Sequence, residues 1–123
     1  MFEIIRIQVT DFFQACRLLY CPVSRESVLV DPGGSSDRIL KVLREKQADL
    51  KQIWLTHSHL DHCGAVAALR RDYNFTLYAH QAEAFLRAGV VEYAEMFGMG
   101  GADFENCPEP DVYLQGGEIL RFS

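Results

Sequence analysis

Most of the histidine in this chain falls in one short window, His57-Ser58-His59-Leu60-Asp61-His62. The window follows an apolar run, Gln52 to Thr56, and precedes an alanine-rich stretch, Ala65 to Arg71. The first run is typical of a buried strand and the second of a helix. A polar turn between such elements lies at the carboxyl end of a sheet, where α/β proteins bind their ligands. This feature therefore predicts an α/β fold with a site at that edge.

The rest of the chain predicts further strands and helices around this turn. Apolar, β-branched runs predict strands at 2–9, 16–21, 27–31, 52–56, 75–79, 112–114 and 118–122, the last two as a hairpin around Gln115-Gly116-Gly117. Helical spacing predicts helices at 37–47, capped by Ser36, and at 65–71 and 81–88, whereas residues 92–111 show no clear period. This order predicts a mixed sheet that begins antiparallel and is packed against helices.

Composition narrows the class of protein. A length of 123 residues fits one domain, and a net charge of −5 disfavours a dedicated nucleic-acid binder. We expect no membrane association, because no apolar run approaches the roughly 20 residues of a spanning helix. The first residues lack a signal-peptide core, so we expect a cytoplasmic protein. The four cysteines form no C-x-x-C pair and are predicted to be free, mostly buried thiols: Cys16, Cys21, Cys63 and Cys107.

The histidine window has the donor types and the spacing of a metal site. His57 and His59 project to one side if the segment is extended, and their imidazoles then converge on one ion. Asp61 and His62 suit a neighbouring ion. Nitrogen and carboxylate donors favour Zn²⁺, with Fe or Mn as alternatives. A single loop histidine is usually solvated or a helix cap, but three packed imidazoles without a metal would compete for hydrogen-bond partners.

These residues also carry a family resemblance. The pattern H-x-H-x-D-H after an apolar strand resembles the signature of the metallo-β-lactamase fold superfamily, and Asp31-Pro32-Gly33-Gly34 after SVLVD resembles its first motif. The whole pattern looks like that of glyoxalase II-like (hydroxyacylglutathione hydrolase-like) enzymes. The resemblance implies the N-terminal half of an αβ/βα sandwich. It also implies one Zn²⁺ on His57 and His59 and a second on Asp61 and His62. Asp31 is a metal ligand itself or, preferably, an acceptor that orients one of the histidines.

Members of that family are longer, and they supply a third histidine, a bridging aspartate and a final histidine after the point that corresponds to Ser123. We therefore expect one truncated domain over residues 1–123. The resemblance implies hydrolysis of a small-molecule thioester, of the S-2-hydroxyacylglutathione type, by a metal-bound hydroxide, with Asp61 as a catalytic residue. With two protein ligands per metal, the chain alone is expected to be nearly inactive. A complementing C-terminal half or a second copy would be its partner.

Other functions share the same motif. An iron-dependent persulfide dioxygenase would hold a single Fe(II), and a nuclease or phosphodiesterase is mildly disfavoured by the acidic charge. A non-catalytic metal-binding remnant or subunit is the non-enzymatic alternative.

Individual residues outside the window have two readings each. His80 is a third metal ligand or, preferably, a helix cap or a residue at the substrate entrance. Cys63 is a soft ligand or, preferably, a small core residue, and Trp54 is most simply core. The apolar side chains of the long loop form a substrate wall or merely cover the sheet: Tyr93, Met96, Phe97, Met99 and Phe104.

Overall fold

One mixed sheet organises the molecule, and its strands are ordered as they occur along the chain. The computed structural model describes residues 2–9, 14–56, 63–80, 89–92, 106–115, 118, 120 and 121. Within them the elements are β1 (Glu3–Val9), β2 (Gln14–Tyr20), β3 (Glu26–Val30), α1 (Ser36–Lys46), β4 (Asp49–Trp54), α2 (Val66–Arg70), β5 (Thr76–His80) and β6 (Val112–Leu114). The sheet order is β1-β2-β3-β4-β5-β6.

The direction of each strand pair follows from the connection between its strands. The pairs β1–β2 and β2–β3 are antiparallel, because short turns reverse the chain between them. The pairs β3–β4 and β4–β5 are parallel, since α1 and α2 carry the chain back across the sheet. The pair β5–β6 is parallel as well. The predicted α/β fold with an antiparallel start is therefore confirmed.

The main core lies between the sheet and the two helices. The amphipathic helix α1 buries Ile39 and Leu43 completely, and α2 buries Leu69. These side chains form one cluster with strand residues of the same face, including Leu29 and Ile53. Burying a side chain of this size contributes roughly 1.5–3 kcal/mol, so this cluster is the main source of stability.

The side of the sheet away from the helices, which we call the open face, includes Val28 and Trp54. Its residues alternate along the strands with those of the core, as the pleat requires. Val28 on this face is fully buried although it is outside the helix-side cluster. Trp54 also lies here rather than in the main core, half-buried, with its indole N–H donating to Gln52 Oε1 at 2.8 Å.

Two local predictions were wrong. Helix α1 begins at Ser36 and is preceded by Ser35, which is in the left-handed region (φ 50°) and makes no side-chain cap bond. The terminal hairpin does not form at the described positions 118, 120 and 121, none of which is strand. The Glu118 carboxylate accepts the Gln115 N–H at 2.7 Å. The Arg121 carbonyl instead accepts from the Gln52 amide at 2.9 Å. Arg121 therefore lies over β4 on this side of the sheet.

The four cysteines are free, as predicted, and Cys16, Cys63 and Cys107 are buried. The predicted helix at 81–88 and most of the loop 92–111 lie outside the described residues. In the part of the chain that the structure describes, no helix has the length and apolar character needed to cross a membrane. The prediction of a single, truncated domain stays a prediction.

Candidate metal centre

The predicted metal ligands follow the carboxyl end of β4. His57, His59, Asp61 and His62, including the predicted catalytic role of Asp61, lie outside the described residues. Among the described residues, no group of three potential metal-binding side chains occurs. What the structure describes is how both flanks of the segment are held.

Asp31 anchors the first flank. This carboxylate is only 6% exposed and follows β3 directly. Its Oδ1 accepts the backbone N–H of Thr56 at 2.7 Å, and its Oδ2 accepts the Thr56 hydroxyl. The Asp31 N–H donates to the Trp54 carbonyl at 3.0 Å. Charge-assisted hydrogen bonds of this kind are about twice as strong as neutral ones, so the residue just before His57 is tightly fixed.

The backbone of Asp31 is adapted to this task. Its φ of 56° lies in the left-handed region. Aspartate and asparagine are among the few residues other than glycine that tolerate this conformation. The turn brings the carboxylate from the end of β3 to the end of β4.

Pro32 anchors the second flank. Its carbonyl accepts the Ala65 N–H at 3.0 Å, just before α2 begins. Pro32, Gly33 and Gly34 are all buried. Two consecutive residues, Asp31 and Pro32, therefore hold Thr56 and Ala65, the two ends of the segment that carries the predicted ligands.

Cys16 is a buried neighbour of this anchor. Burial raises the pKa of the Cys16 thiol far above its ordinary value, and the negative charge of Asp31 raises it further against a smaller opposing effect of Arg17. The thiol therefore stays protonated and uncharged at neutral pH. It is a buried residue of the helix-side core.

A cavity of about 330 Å³ opens beside Thr56. His80, the exposed last residue of β5, and Glu118 are its charged or titratable lining groups. The remaining lining residues are mostly apolar: Val30, Trp54, Leu55, Leu114 and Leu120. This position agrees with the reading of His80 as a residue at an entrance, while its role as a third ligand stays an untested alternative.

Cys63 is fully buried in the helix-side cluster, which agrees with its reading as a core residue. Sequence reasoning missed Thr56 and the Pro32–Ala65 bond. A threonine placed directly before the histidine window was the available signal for the first. The second is a backbone contact and leaves no trace in side-chain pattern.

The comparisons with known proteins agree on one family. The sequence model of the metallo-beta-lactamase superfamily matches residues 11–120. Hydroxyacylglutathione hydrolase GloC of Haemophilus influenzae is 33% identical over 117 residues, which are 94% of this chain and 53% of that protein. The probable polyketide biosynthesis zinc-dependent hydrolase PksB of Bacillus subtilis is 37% identical over 68 residues, which are 55% of this chain and 30% of that protein.

Solved structures match over nearly the whole chain. The BLEG-1 B3 metallo-beta-lactamase superposes with a TM-score of 0.81 at 25% identity, covering 97% of this chain and 56% of that one. TTHA1623 in a di-iron-bound form gives 0.81 at 26% identity, covering 94% and 56%. The chain thus spans about half the length of GloC and of these two structures. Both the fold and the sequence place this chain in the metallo-β-lactamase superfamily.

Proposed function

We propose that the protein is a metal-dependent hydrolase that cleaves a small-molecule thioester of the S-2-hydroxyacylglutathione type. The observation that carries this proposal is the double anchor of Asp31 and Pro32. It holds both ends of the H-x-H-x-D-H segment at the carboxyl ends of parallel strands. The similarity to a hydroxyacylglutathione hydrolase over 94% of the chain supports the choice of substrate.

The donor set fits the metals of this proposal. His57 and His59 would hold one ion, and Asp61 and His62 a second, since imidazole and carboxylate suit zinc and iron alike. When bound, such ions supply Lewis acidity that activates water near neutral pH and stabilises negative charge on a carbonyl oxygen. Zinc is the metal that we propose; the zinc-dependent name of PksB supports it.

The chain's own residues contribute positioning. The carboxylate of Asp31 fixes the N–H and hydroxyl of Thr56, so the strand end that leads into His57 keeps one orientation. The bond from Ala65 to Pro32 does the same at the start of α2. Fixed flanks lower the entropy that the segment between them loses when it binds metal, which raises affinity. A thiolate leaving group needs little protonation, so this reaction does not require a general acid from the described residues.

The test uses the 123-residue chain and any longer form of the protein, each loaded with zinc or iron, and follows the loss of a glutathione thioester. We expect hydrolysis with zinc that is abolished by His59→Ala, and near-background activity for residues 1–123 alone. A Lys41→Ala variant, which removes an exposed side chain of α1 outside the motif, serves as the control.

Other outcomes would redirect the proposal. A stoichiometric single iron with oxygen uptake on a glutathione persulfide would overturn it in favour of a persulfide dioxygenase. Bound metal without turnover of any ester or thioester would indicate a non-catalytic metal-binding subunit.

A further inference from the structure

His80 lies beside the strand end that leads into the predicted metal ligands. Strands β4 and β5 pair in parallel, with Trp54 opposite Tyr78. Two positions further along the chain, Trp54 is followed by Thr56 and Tyr78 by His80. Neighbouring strands lie about 4.8 Å apart, so His80 is one strand spacing from the residue that directly precedes the histidine window.

The side chain of His80 points to the open face, as that of Trp54 does. Leu77 and Ala79, the neighbours with which it alternates on β5, are fully buried in the helix-side cluster. The pleat therefore turns His80 to the opposite side, where it is exposed and lines the same cavity as Thr56. The pairing of β5 with β4 and β6 fixes this position, which does not depend on what covers the open face.

The chemistry of the cavity makes His80 its side-chain donor toward a ligand. Most of the lining is apolar. The Thr56 hydroxyl and the Trp54 indole N–H already donate to groups of the protein, and the carboxylate of Glu118 is an acceptor. An imidazole carries at least one N–H in either charge state, so His80 can donate at any pH near neutrality. In a mostly apolar cavity, the few polar groups are the ones that set specificity.

The two sides of β4 differ in the room that they leave for a substrate. On the side of β3, Asp31 and the buried residues 32–34 occupy the strand end. On the side of β5, the cavity of about 330 Å³ opens, and both Thr56 and His80 line it. A substrate whose carbonyl carbon reaches the metal site can therefore extend toward β5, where it meets the imidazole of His80.

We propose that His80 determines specificity for the glutathione portion of the substrate by donating a hydrogen bond to one of its carboxylates. This inference rests on the proposed thioester hydrolysis, in which the reacting carbonyl lies at the metal site beyond the end of β4. His80 is displaced from that point by one strand and is exposed. It is therefore placed for the thiol side of the thioester, away from the bond that is cleaved. Glutathione is the part of this substrate that carries carboxylates.

The experiment compares two thioesters of the same hydroxy acid, with the protein forms of the hydrolase test. One thioester has glutathione as its thiol, and the other has N-acetylcysteamine, which lacks carboxylates. We expect His80→Ala to raise KM for the glutathione thioester about 10- to 100-fold with little change in kcat, because binding alone is lost. KM for the N-acetylcysteamine thioester should not change. His80→Gln keeps an N–H donor and should restore part of the affinity, and Lys41→Ala on α1 is the control.

Two further measurements do not require activity: the zinc content and the binding of S-methylglutathione, a thioether that cannot be hydrolysed. We expect equal zinc in the wild type and in His80→Ala, and about 10- to 100-fold weaker binding of the thioether by the variant. Loss of zinc in His80→Ala would overturn the proposal in favour of a third metal ligand. An equal rise in KM for both thioesters, or unchanged binding of the thioether, would overturn recognition of glutathione by this residue. If the wild type hydrolyses neither thioester, the proposed function fails, and the binding measurement still decides the role of His80.

Discussion

Two aspartates accept backbone N–H groups at opposite ends of the sheet, and they differ in how far they are exposed to water. At the carboxyl end, Asp31 accepts the Thr56 N–H at 2.7 Å and is only 6% exposed. At the amino end of β5 and β6, Asp111 accepts the Leu77 N–H at 2.8 Å, and its side chain is 47% exposed. The second partner of Asp31 is the Thr56 hydroxyl, whereas that of Asp111 is the Arg70 guanidinium at 3.1 Å.

Burial decides how much the bonds of each aspartate contribute to stability. Water can replace a lost partner at Asp111, so an ion pair there contributes little. The carboxylate of Asp31 is almost completely removed from water, so a bond lost there is less easily replaced. The end of the sheet beside the predicted ligands is therefore held by the stronger contacts, which water replaces less easily.

The largest effect is expected for Asp31→Asn. Asparagine has the same shape and tolerates the left-handed backbone, so the variant isolates the loss of charge and of one acceptor. It should lower the free energy of unfolding by about 2–3 kcal/mol, because the charge-assisted bonds from the Thr56 N–H and hydroxyl become neutral ones. Urea denaturation measures this change. Zinc affinity should fall about 10- to 100-fold, as is typical when a group that orients metal ligands is removed. Unchanged stability and metal affinity would contradict the anchoring role.

Thr56→Val is expected to have a smaller effect. Valine keeps the shape and the backbone N–H that donates to Asp31, but it removes the hydroxyl. The loss of one hydrogen bond to a charged acceptor should lower the free energy of unfolding by about 1–2 kcal/mol. Thr56→Ser is the control that retains the hydroxyl. If serine and valine were equally destabilising, the hydroxyl bond would not be the cause.

The buried thiol of Cys16, beside the Asp31 anchor, should make the stability of the protein depend on pH. Its pKa is raised in the folded protein, so above the ordinary thiol pKa of 9.0 the unfolded chain loses a proton that the folded chain retains. Stability from this group is complete below pH 9 and declines as the pH rises further, by on the order of 1 kcal/mol per pH unit. The stability difference between wild type and Cys16→Ala should therefore shrink from pH 8 to pH 10 in chemical denaturation. A constant difference would contradict the raised pKa.

The smallest effect is expected for Asp111→Asn. The amide oxygen can still accept the Leu77 N–H, so only the ion pair with Arg70 is lost. The expected loss is about 0.5 kcal/mol, because both side chains are substantially exposed. Salt at 0.5 M should remove this difference by screening, yet leave that of Asp31→Asn nearly intact. Equal salt sensitivity of the two variants would break the contrast between the two ends.

The periodicity of the sequence predicts the helices and strands, but it does not predict the contacts between them. The apolar stripe of α1 and the buried strands around the histidine window follow from periodicity, which the sequence displays directly. The resemblance implied that Asp31 supports the site, but its described bonds go to Thr56, a partner 25 positions away. That contact depends on a left-handed turn and on parallel strand pairing, which no local period encodes.

The terminal segment shows the same limit. Alternating residues and a Gly-Gly turn predicted a hairpin, yet none of the described positions 118, 120 and 121 is strand, and the Arg121 carbonyl accepts from Gln52, a residue 69 positions away. Trp54 was expected in the core, and its face could be assigned only from the register with neighbouring strands.

The strands lie in the sheet in the same order as along the chain, which has a consequence for folding during synthesis. Each strand pairs with the one made just before it, so the sheet can grow edge by edge as the chain leaves the ribosome, without waiting for a distant strand. Asp31 is synthesised well before Thr56 and is in place when β4 adds to the sheet. The histidine segment therefore follows a turn that is already placed to hold its first flank, and the second flank is fixed when Ala65, just before α2, has been made.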